Sequence, residues 1–594
     1  MRQYFEKMDA LGKPLKPFEL DEMADNRAQV AAMLKELDAE VGRVKNAGLP
    51  AEKIRERGEM TVWDRIEYLV DPGSFCPLHT LYDPRENEEG TTGVVDGLAR
   101  IRGKWCVLIG FDNKVLAGAW IAGQAENQLR VTDLAQRLRV PLVWLVNCSG
   151  VKLPEQDQVY ADRRGHGTTF FRHAELEKLG IPILAGIYGT NPAGGGYQSI
   201  SPTMLFAHKN ANMAVGGAGI VSGMSPKGGF DEESAEQIIT ATRAFKEAPP
   251  GSVRVHHDVT GFFRAVFDTE TQVLDALKGA MAQLPGYDPT FFRVAAPAEP
   301  AYPLADLESI VPMNPKAVYS LGDVLARLVD GSEHMEFRPD FGPEVYTGLV
   351  KVDGFLIGVV GNRQGLLGMQ YPEYATDYIG IGGKLYRQGL IKMNEFVTHC
   401  GRDRVPMIWL QDTSGIDVGD TAEKAELLGL GQSLIYSIEQ TGVPMMLVVL
   451  RKGTAAAHYV MGGPTANNHN AFTLGTPSTE IVVMHGETAA VASCARRLVR
   501  EKDAGRPLKP VIDQMNALAR QYAEQSRPIF CAKRGFVDEV VRYEDLRRYM
   551  VAFAGSAYQN PASLCPQHHL MLPRLIRSQI VKGHERPKKA RPAK

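Results

Sequence analysis

Along most of the chain, short apolar runs alternate with amphipathic stretches of helical period, a pattern that predicts an α/β fold. WCVLIGF (105–111), PLVWLVNCSG (141–150) and PILAGIYG (182–189) are dense in β-branched and aromatic residues and read as strands. AENQLRVTDLAQRLR (125–139) lies between the first two and reads as a helix. The second half repeats the scheme with LIGVVGN (356–362), PMIWLQDTSG (406–415) and PMMLVVLRKG (444–453), with the helical GKLYRQGLIKMNEFVTHCGR between its first two strands. The N-terminal segment differs: Leu20 to Lys45 carries apolar positions at helical spacing among many charges, predicting an amphipathic helix that ends near Gly48–Leu49–Pro50. Residues 285–315 hold seven prolines, which predicts an extended connector and a domain boundary near 300. The expected organisation is a helical extension (1–60), an N-terminal domain (61–298), a C-terminal domain (299–560) and a basic tail (561–594).

The two halves also match in register. EYLVDPGSF (67–75) parallels ARLVDGSEH (326–334). Pro141 starts a strand that ends in Ser149–Gly150–Val151, and Pro406 starts one ending in Ser414–Gly415–Ile416, with the same interval from proline to glycine in both. Pro182 stands as far ahead of Ala193–Gly194–Gly195 as Pro444 stands ahead of Ala455–Ala456–Ala457. Three matches in one order indicate a duplicated fold.

Small residues at both loops suit backbone amides that must approach a ligand closely. If the small-residue run opens a helix, its first N–H groups have no partner inside that helix and face the ligand. Two amides aimed at one oxygen form an oxyanion hole. The first half would offer Val151 with Gly194 and Gly195, and the second Ile416 with Ala456 and Ala457. Ser149, Gly150, Gly196, Ser414 and Gly415 would shape the surrounding pocket, together with Gly216 and Gly217 of NMAVGGAGIV. Arg163 could meet an anionic substrate group. Tight helix–strand packing would select the same small residues, a turn the same glycines, and solvent the same arginine.

Bulk properties narrow the field. A length of 594 residues calls for several domains. The net charge of −2, from 67 basic and 69 acidic residues, gives no general pull toward nucleic acid. Six Lys or Arg between Lys582 and Lys594 are the one basic cluster, read as a solvated end or as a dock for CoA phosphates, an acidic partner or a lipid surface. No stretch approaches the roughly 20 apolar residues of a membrane span, and the N-terminus has no apolar signal core. The seven cysteines (76, 106, 148, 400, 494, 531 and 565) form no CxxC pair, which suits reduced cytosol and argues against zinc or disulfides. His256–His257 and His568–His569 lack correctly spaced partners, so no metal is expected.

NCSGVKL, YGTNPAGGGYQSISP, NMAVGGAGIV, LQDTSGIDVG and RKGTAAAHYVMGGP, in this two-domain layout, resemble the carboxyltransferase subunits of biotin-dependent enzymes. Within that family NRQGLLGMQYPEY and AEKAELLGLGQSLIYSI resemble the glutaconyl-CoA decarboxylase α-subunit branch, from about residue 10 to 570. The resemblance implies two tandem crotonase-like domains of the ClpP/crotonase superfamily. It implies that Val151, Gly194 and Gly195 hold the thioester carbonyl of an acyl-CoA, and that Ile416, Ala456 and Ala457 hold the ureido oxygen of biotin. It further implies transfer of CO2 from glutaconyl-CoA to biotin, with release of crotonyl-CoA. Biotin would come from a separate carrier subunit, because Ile391–Lys392–Met393 lacks the attachment tetrapeptide. Dimers, or dimers of dimers, with shared active sites would be expected. So would a membrane decarboxylase subunit that exports sodium and a cytoplasmic location at the inner membrane face. A β subunit of an acyl-CoA carboxylase, a biotin-independent hydratase and a non-catalytic scaffold are the competing readings.

Overall fold

The computed structural model describes residues 8–159, 163–198, 203–216, 230–247, 250–285, 287–288, 290, 292–371 and 376–560. The chain divides into two compact units. One comprises Arg43–Leu78, Arg85–Pro289 and Gln559–Lys594; the other comprises Met1–Gly42, His79–Pro84 and Thr290–Tyr558. The division between the halves thus falls at residue 290. The long N-terminal helix, Ala24–Lys45, runs across the first boundary.

The N-terminal unit is built on seven strands whose order in the sheet follows the chain: β1 (Cys76–Leu78), β2 (Val94–Ile101), β3 (Lys104–Phe111), β4 (Leu142–Val146), β5 (Ile183–Ile187), β6 (Met204–His208) and β7 (Ala265–Phe267). The first three pair antiparallel and the rest parallel. Parallel strands need crossovers, and the helix Gln124–Leu138 supplies the one between β3 and β4. Strands β4 and β5 are buried at every position, as expected where both faces of a parallel sheet are covered. Val62, Ile66, Leu108, Val143, Leu145, Leu184, Leu274 and Leu277 belong to its apolar core.

The C-terminal unit repeats this plan in a nine-stranded sheet. Its main strands are β8 (Glu333–Glu336), β9 (Val345–Val352), β10 (Phe355–Asn362), β11 (Met407–Thr413), β12 (Met445–Thr454), β13 (Asn470–Gly475) and β14 (Glu539–Val540). Again the first three pair antiparallel and the others parallel. Two short strands, Asp9–Ala10 and Glu480–Val482, complete the sheet beside β8 and β12.

The prolines that align in the sequence occupy equivalent rungs. The carbonyl of Pro141 accepts from Val107 N–H at 2.9 Å, and that of Pro406 from Gly358 N–H at 3.0 Å. Pro182 accepts from Leu142 at 3.0 Å and Pro444 from Met407 at 3.1 Å. Proline has no N–H to give, so it is tolerated where a strand begins. With these starts fixed, equal chain lengths bring both Ser-Gly loops and both small-residue turns out at equivalent strand ends.

Candidate active site

In the N-terminal unit, Val151 forms an isolated parallel bridge with Trp120. Trp120 N–H donates to the Gly150 carbonyl at 2.7 Å, and Lys152 N–H donates to the Trp120 carbonyl at 2.9 Å. In a parallel rung of this kind the residue between the two bonds turns its own N–H the other way. Gly150 allows this bend with φ +98°, in the region that favours glycine. Ser149 is held by its Oγ donating to the Leu116 carbonyl at 2.9 Å.

The second donor comes from the turn after β5. Ala193 has φ 48° and ψ −120°, an uncommon conformation for a residue with a Cβ, and its N–H donates to the Ala214 carbonyl at 2.7 Å. That turn starts the short helix Gly194–Tyr197. Gly194 N–H has no acceptor among the described residues. A Cβ on Gly194 would lie 2.3 Å from the Trp120 ring, and one on Gly195 would lie 2.5 Å from the Cys148 carbonyl. Both positions therefore require glycine. Gly196 is buried where a Cβ would stand 3.0 Å from the Asn191 carbonyl, a packing requirement.

Val151 and Gly194 open on a cleft of about 670 Å³ lined also by Trp120, His166, Phe170, Phe171 and Tyr197. His166 stacks on Trp120, with ring centroids 4.0 Å apart and planes 19° apart. Burial pulls the His166 pKa down to about 4, so the ring is neutral at pH 7. Its nitrogens face the Val159 carbonyl at 3.1 Å and Gln124 Oε1 at 3.3 Å.

The C-terminal unit has the same parts. Gly415–Ile416 pairs parallel with Lys384–Leu385, and Asp417 N–H donates to the Leu385 carbonyl at 3.0 Å, so Ile416 stands where Val151 stands. Gly415 has φ +132°. Ala455 has φ 50°, matching the positive φ of Ala193 at the same distance from the equivalent proline. It begins the helix Ala455–Val460, whose opening N–H groups belong to Ala455, Ala456 and Ala457. The rung position equivalent to Trp120 is Leu385, and here Ala456 and Ala457 stand where the other unit has glycines. His458 Nδ1 lies 2.7 Å from Gln411 Oε1, joining this helix to β11. Beside the loop, Arg451 Nε donates to Asp412 Oδ2 at 2.8 Å, a pair with side chains 1% and 0% exposed.

The chain matches the carboxyl transferase domain model over residues 53–572. It is 55% identical over 579 residues to the glutaconyl-CoA decarboxylase subunit alpha of Acidaminococcus fermentans, covering 97% of this chain and 98% of that protein. The chain belongs to the carboxyl transferase family. It is also 26% identical to the biotin-dependent 3-methylcrotonyl-coenzyme A carboxylase beta1 subunit of Mycobacterium tuberculosis, over 83% of this chain and 87% of that one. The Pseudomonas aeruginosa geranyl-CoA carboxylase beta subunit has a similar fold, with TM-score 0.73 and 21% identity over 93% of this chain and 98% of that one. The α/β fold of this carboxyltransferase is accordingly crotonase-like.

Of the residues singled out in the sequence, Val151, Gly194 and Gly195 come together in one half of the carboxyltransferase, and Ile416, Ala456 and Ala457 in the other. Ser414 and Gly415 lie at the second loop, where Ser414 N–H donates to the Gly383 carbonyl at 2.9 Å. Arg163 is exposed and does not line the cleft. Gly216 is half-buried, and Gly217 lies outside the described residues. Trp120, His166 and the aromatic wall were not singled out. Trp120 reaches Val151 through a single rung from the far side of the crossover helix, and no local spacing signals that contact.

Proposed function

We propose that this carboxyltransferase is the acyl-CoA-handling subunit of a glutaconyl-CoA decarboxylase. It moves CO2 from glutaconyl-CoA to biotin on a separate carrier subunit and releases crotonyl-CoA. The observation that carries this reading is the 55% identity, over nearly the whole chain, to the Acidaminococcus subunit. The site geometry supports the chemistry. The thioester carbonyl lies in the N-terminal cleft, where the N–H groups of Val151 and Gly194, with Gly195 beside them, receive its oxygen. When the bond to the distal carboxylate breaks, its electron pair spreads through the conjugated chain to that oxygen. Preorganised amides stabilise the developing charge, and removal of one such donor typically costs about 10²–10³ in rate. A proton returned to the γ-carbon then gives crotonyl-CoA. The aromatic side chains of Trp120, Phe170, Phe171 and Tyr197 give this cleft an apolar wall for the acyl chain.

Biotin would supply the acceptor for CO2. The opening turn of Ala455–Val460 fits its ureido oxygen: Ala455 and Ala456 are exposed, their side chains are small, and Ile416 turns its N–H away from Leu385. Ile416, Ala456 and Ala457 would hold that oxygen and polarise the ring. A homodimer, or dimer of dimers, shares each active site between protomers. The carrier docks from outside, and a separate membrane subunit completes decarboxylation with sodium export at the cytoplasmic face.

The test is decarboxylation by the purified chain with free biotin. Glutaconyl-CoA should yield crotonyl-CoA, whereas methylmalonyl-CoA and 3-methylglutaconyl-CoA should react at least about tenfold more slowly. Preference for either of those substrates would replace this reading with the β subunit of an acyl-CoA carboxylase.

A further inference from the structure

Trp120 touches both sides of the first oxyanion hole. Its backbone brackets Val151 through the bonds to Gly150 and Lys152, at 2.7 and 2.9 Å. Its ring lies against Gly194, closely enough that a Cβ there would be 2.3 Å from Cη2 and Cζ3. Its Nε1 donates at 3.1 Å to Oε1 of Gln198, whose N–H donates to the Gly194 carbonyl at 3.1 Å. The residue is 3% exposed, and His166 stacks on its ring. The residue that carries the Val151 donor thus also limits how far the Gly194 donor can move. The other half supplies an internal comparison: the equivalent rung residue is Leu385, and the equivalent of Gly194 is Ala456. A large ring is paired with a missing Cβ in one half, and a smaller aliphatic group with a Cβ in the other.

We infer that Trp120 is the positioning residue that sets the spacing of the Val151 and Gly194 donors, and that the pairs Trp120–Gly194 and Leu385–Ala456 are matched sets. The inference rests on the proposed function only for the identity of the thioester in the cleft. Packing at this distance is unforgiving. A displacement of about an ångström of one donor moves it out of hydrogen-bond range of the oxyanion.

The experiment compares four full-length proteins: wild type, Gly194→Ala, Trp120→Leu and the double variant. The first readout is the thioester carbonyl stretch of bound crotonyl-CoA, carbon-13 labelled at the carbonyl, by difference infrared spectroscopy. It reports polarisation by the hole without turnover. The second is the kcat and KM for glutaconyl-CoA with free biotin. Gly194→Ala should lose the downshift of the carbonyl band and about 100-fold in kcat. The double variant should regain the downshift and at least about tenfold of the lost rate, because removal of the ring makes room for the Cβ. A double variant no better than Gly194→Ala, or a Gly194→Ala protein with the wild-type band, would overturn the inference. If Gly194→Ala does not fold, Trp120→Ala removes the spacer without adding an atom; it should lose the downshift with a larger change in kcat than in KM. Wild-type band and kcat in Trp120→Ala would equally overturn it. A wild-type protein that polarises crotonyl-CoA but does not decarboxylate glutaconyl-CoA would defeat the substrate reading and leave the role of Trp120 standing. If wild type binds no acyl thioester, both fall.

Discussion

The two halves of the chain solve one backbone problem with different side chains. Each ends a parallel strand in Ser-Gly with the glycine at positive φ, at Gly150 and Gly415. Each follows its next strand with an alanine near φ 50° and a short helix, at Ala193 and Ala455. They differ in what packs on the amides. Two glycines lie under Trp120 and the Cys148 carbonyl in the first half, and two alanines follow Ala455 in the second, where Leu385 replaces the tryptophan. Their buried ion pairs differ as well. Arg65–Glu270 joins two helices of the N-terminal unit, whereas Arg451–Asp412 joins the strands that lead into both loops of the C-terminal hole. The backbone arrangement is shared by the two halves, and the side chains packed on it are not.

The comparison breaks most visibly at the glycines. Gly194→Val should cost about 10³ or more in biotin-dependent decarboxylation, since the branched side chain would enter the Trp120 ring and displace the donor. The mirrored change, Ala456→Gly, keeps its amide and should alter the rate less than about tenfold. A Gly194→Val enzyme near wild-type rate would remove the first hole from the account.

The ion pairs offer the next contrast. Asp412→Ala and Glu270→Ala each leave a buried arginine without its carboxylate and should destabilise their own unit by about 3–5 kcal/mol in denaturant titrations. The isosteric Asp412→Asn should also lower kcat, because its strand leads into Ser414–Gly415–Ile416. Glu270→Gln should lower stability alone. Equal loss of kcat in both would erase the distinction between a pair that aligns the hole and one that only packs.

Smaller effects follow at the bends. Gly150→Ala and Gly415→Ala should each cost about 1–2 kcal/mol of stability through unfavourable backbone angles. Gly415 has no neighbour within 4 Å of a built Cβ, so its cost is conformational alone; at Gly150 the Pro192 ring stands 3.5 Å away. Acid should have a smaller effect. Burial against Trp144 holds the His173 pKa down to about 4, and neither ring nitrogen has a hydrogen-bond partner among the described residues. The unfolded chain takes up this proton from about pH 6.5 downward, while the folded unit does not until about pH 4. Stability is therefore full above the unfolded value and falls with pH, by about 1 kcal/mol for this group at pH 5.5. His173→Phe should remove this group's share of that slope between pH 7 and 5, leaving the share of His166, and should leave the slope above pH 7 unchanged.

The strands, the duplication and the placement of the two small-residue loops were legible in the sequence because proline, Ser-Gly and small-residue spacing are local and repeat. The ladder then confirms the register: Pro141 and Pro406, like Pro182 and Pro444, occupy equivalent rungs. What stayed hidden depends on long-range packing. A whole helix, Gln124–Leu138, separates Trp120 from Val151 in the chain, and the ring-to-glycine contact has no periodic signature. Ala193 and Ala455 gave no hint of positive φ, since alanine ordinarily avoids it. Two aromatics of the wall, Phe170 and Phe171, come from helix Gly167–Lys178, whose pattern reads only as amphipathic. The assignment of His79–Pro84 to the C-terminal unit was equally hidden, because its sequence position lies among N-terminal residues.

The central claim is that two copies of one hole do different jobs, and crotonyl-CoA binding by Gly194→Val and Ala456→Val, measured by titration calorimetry, tests it most directly. The account predicts at least about tenfold weaker binding for Gly194→Val. It predicts wild-type binding for Ala456→Val, although that variant has lost its response to biotin. Equal weakening of crotonyl-CoA binding in both variants, or weakening in Ala456→Val alone, would contradict the division of labour.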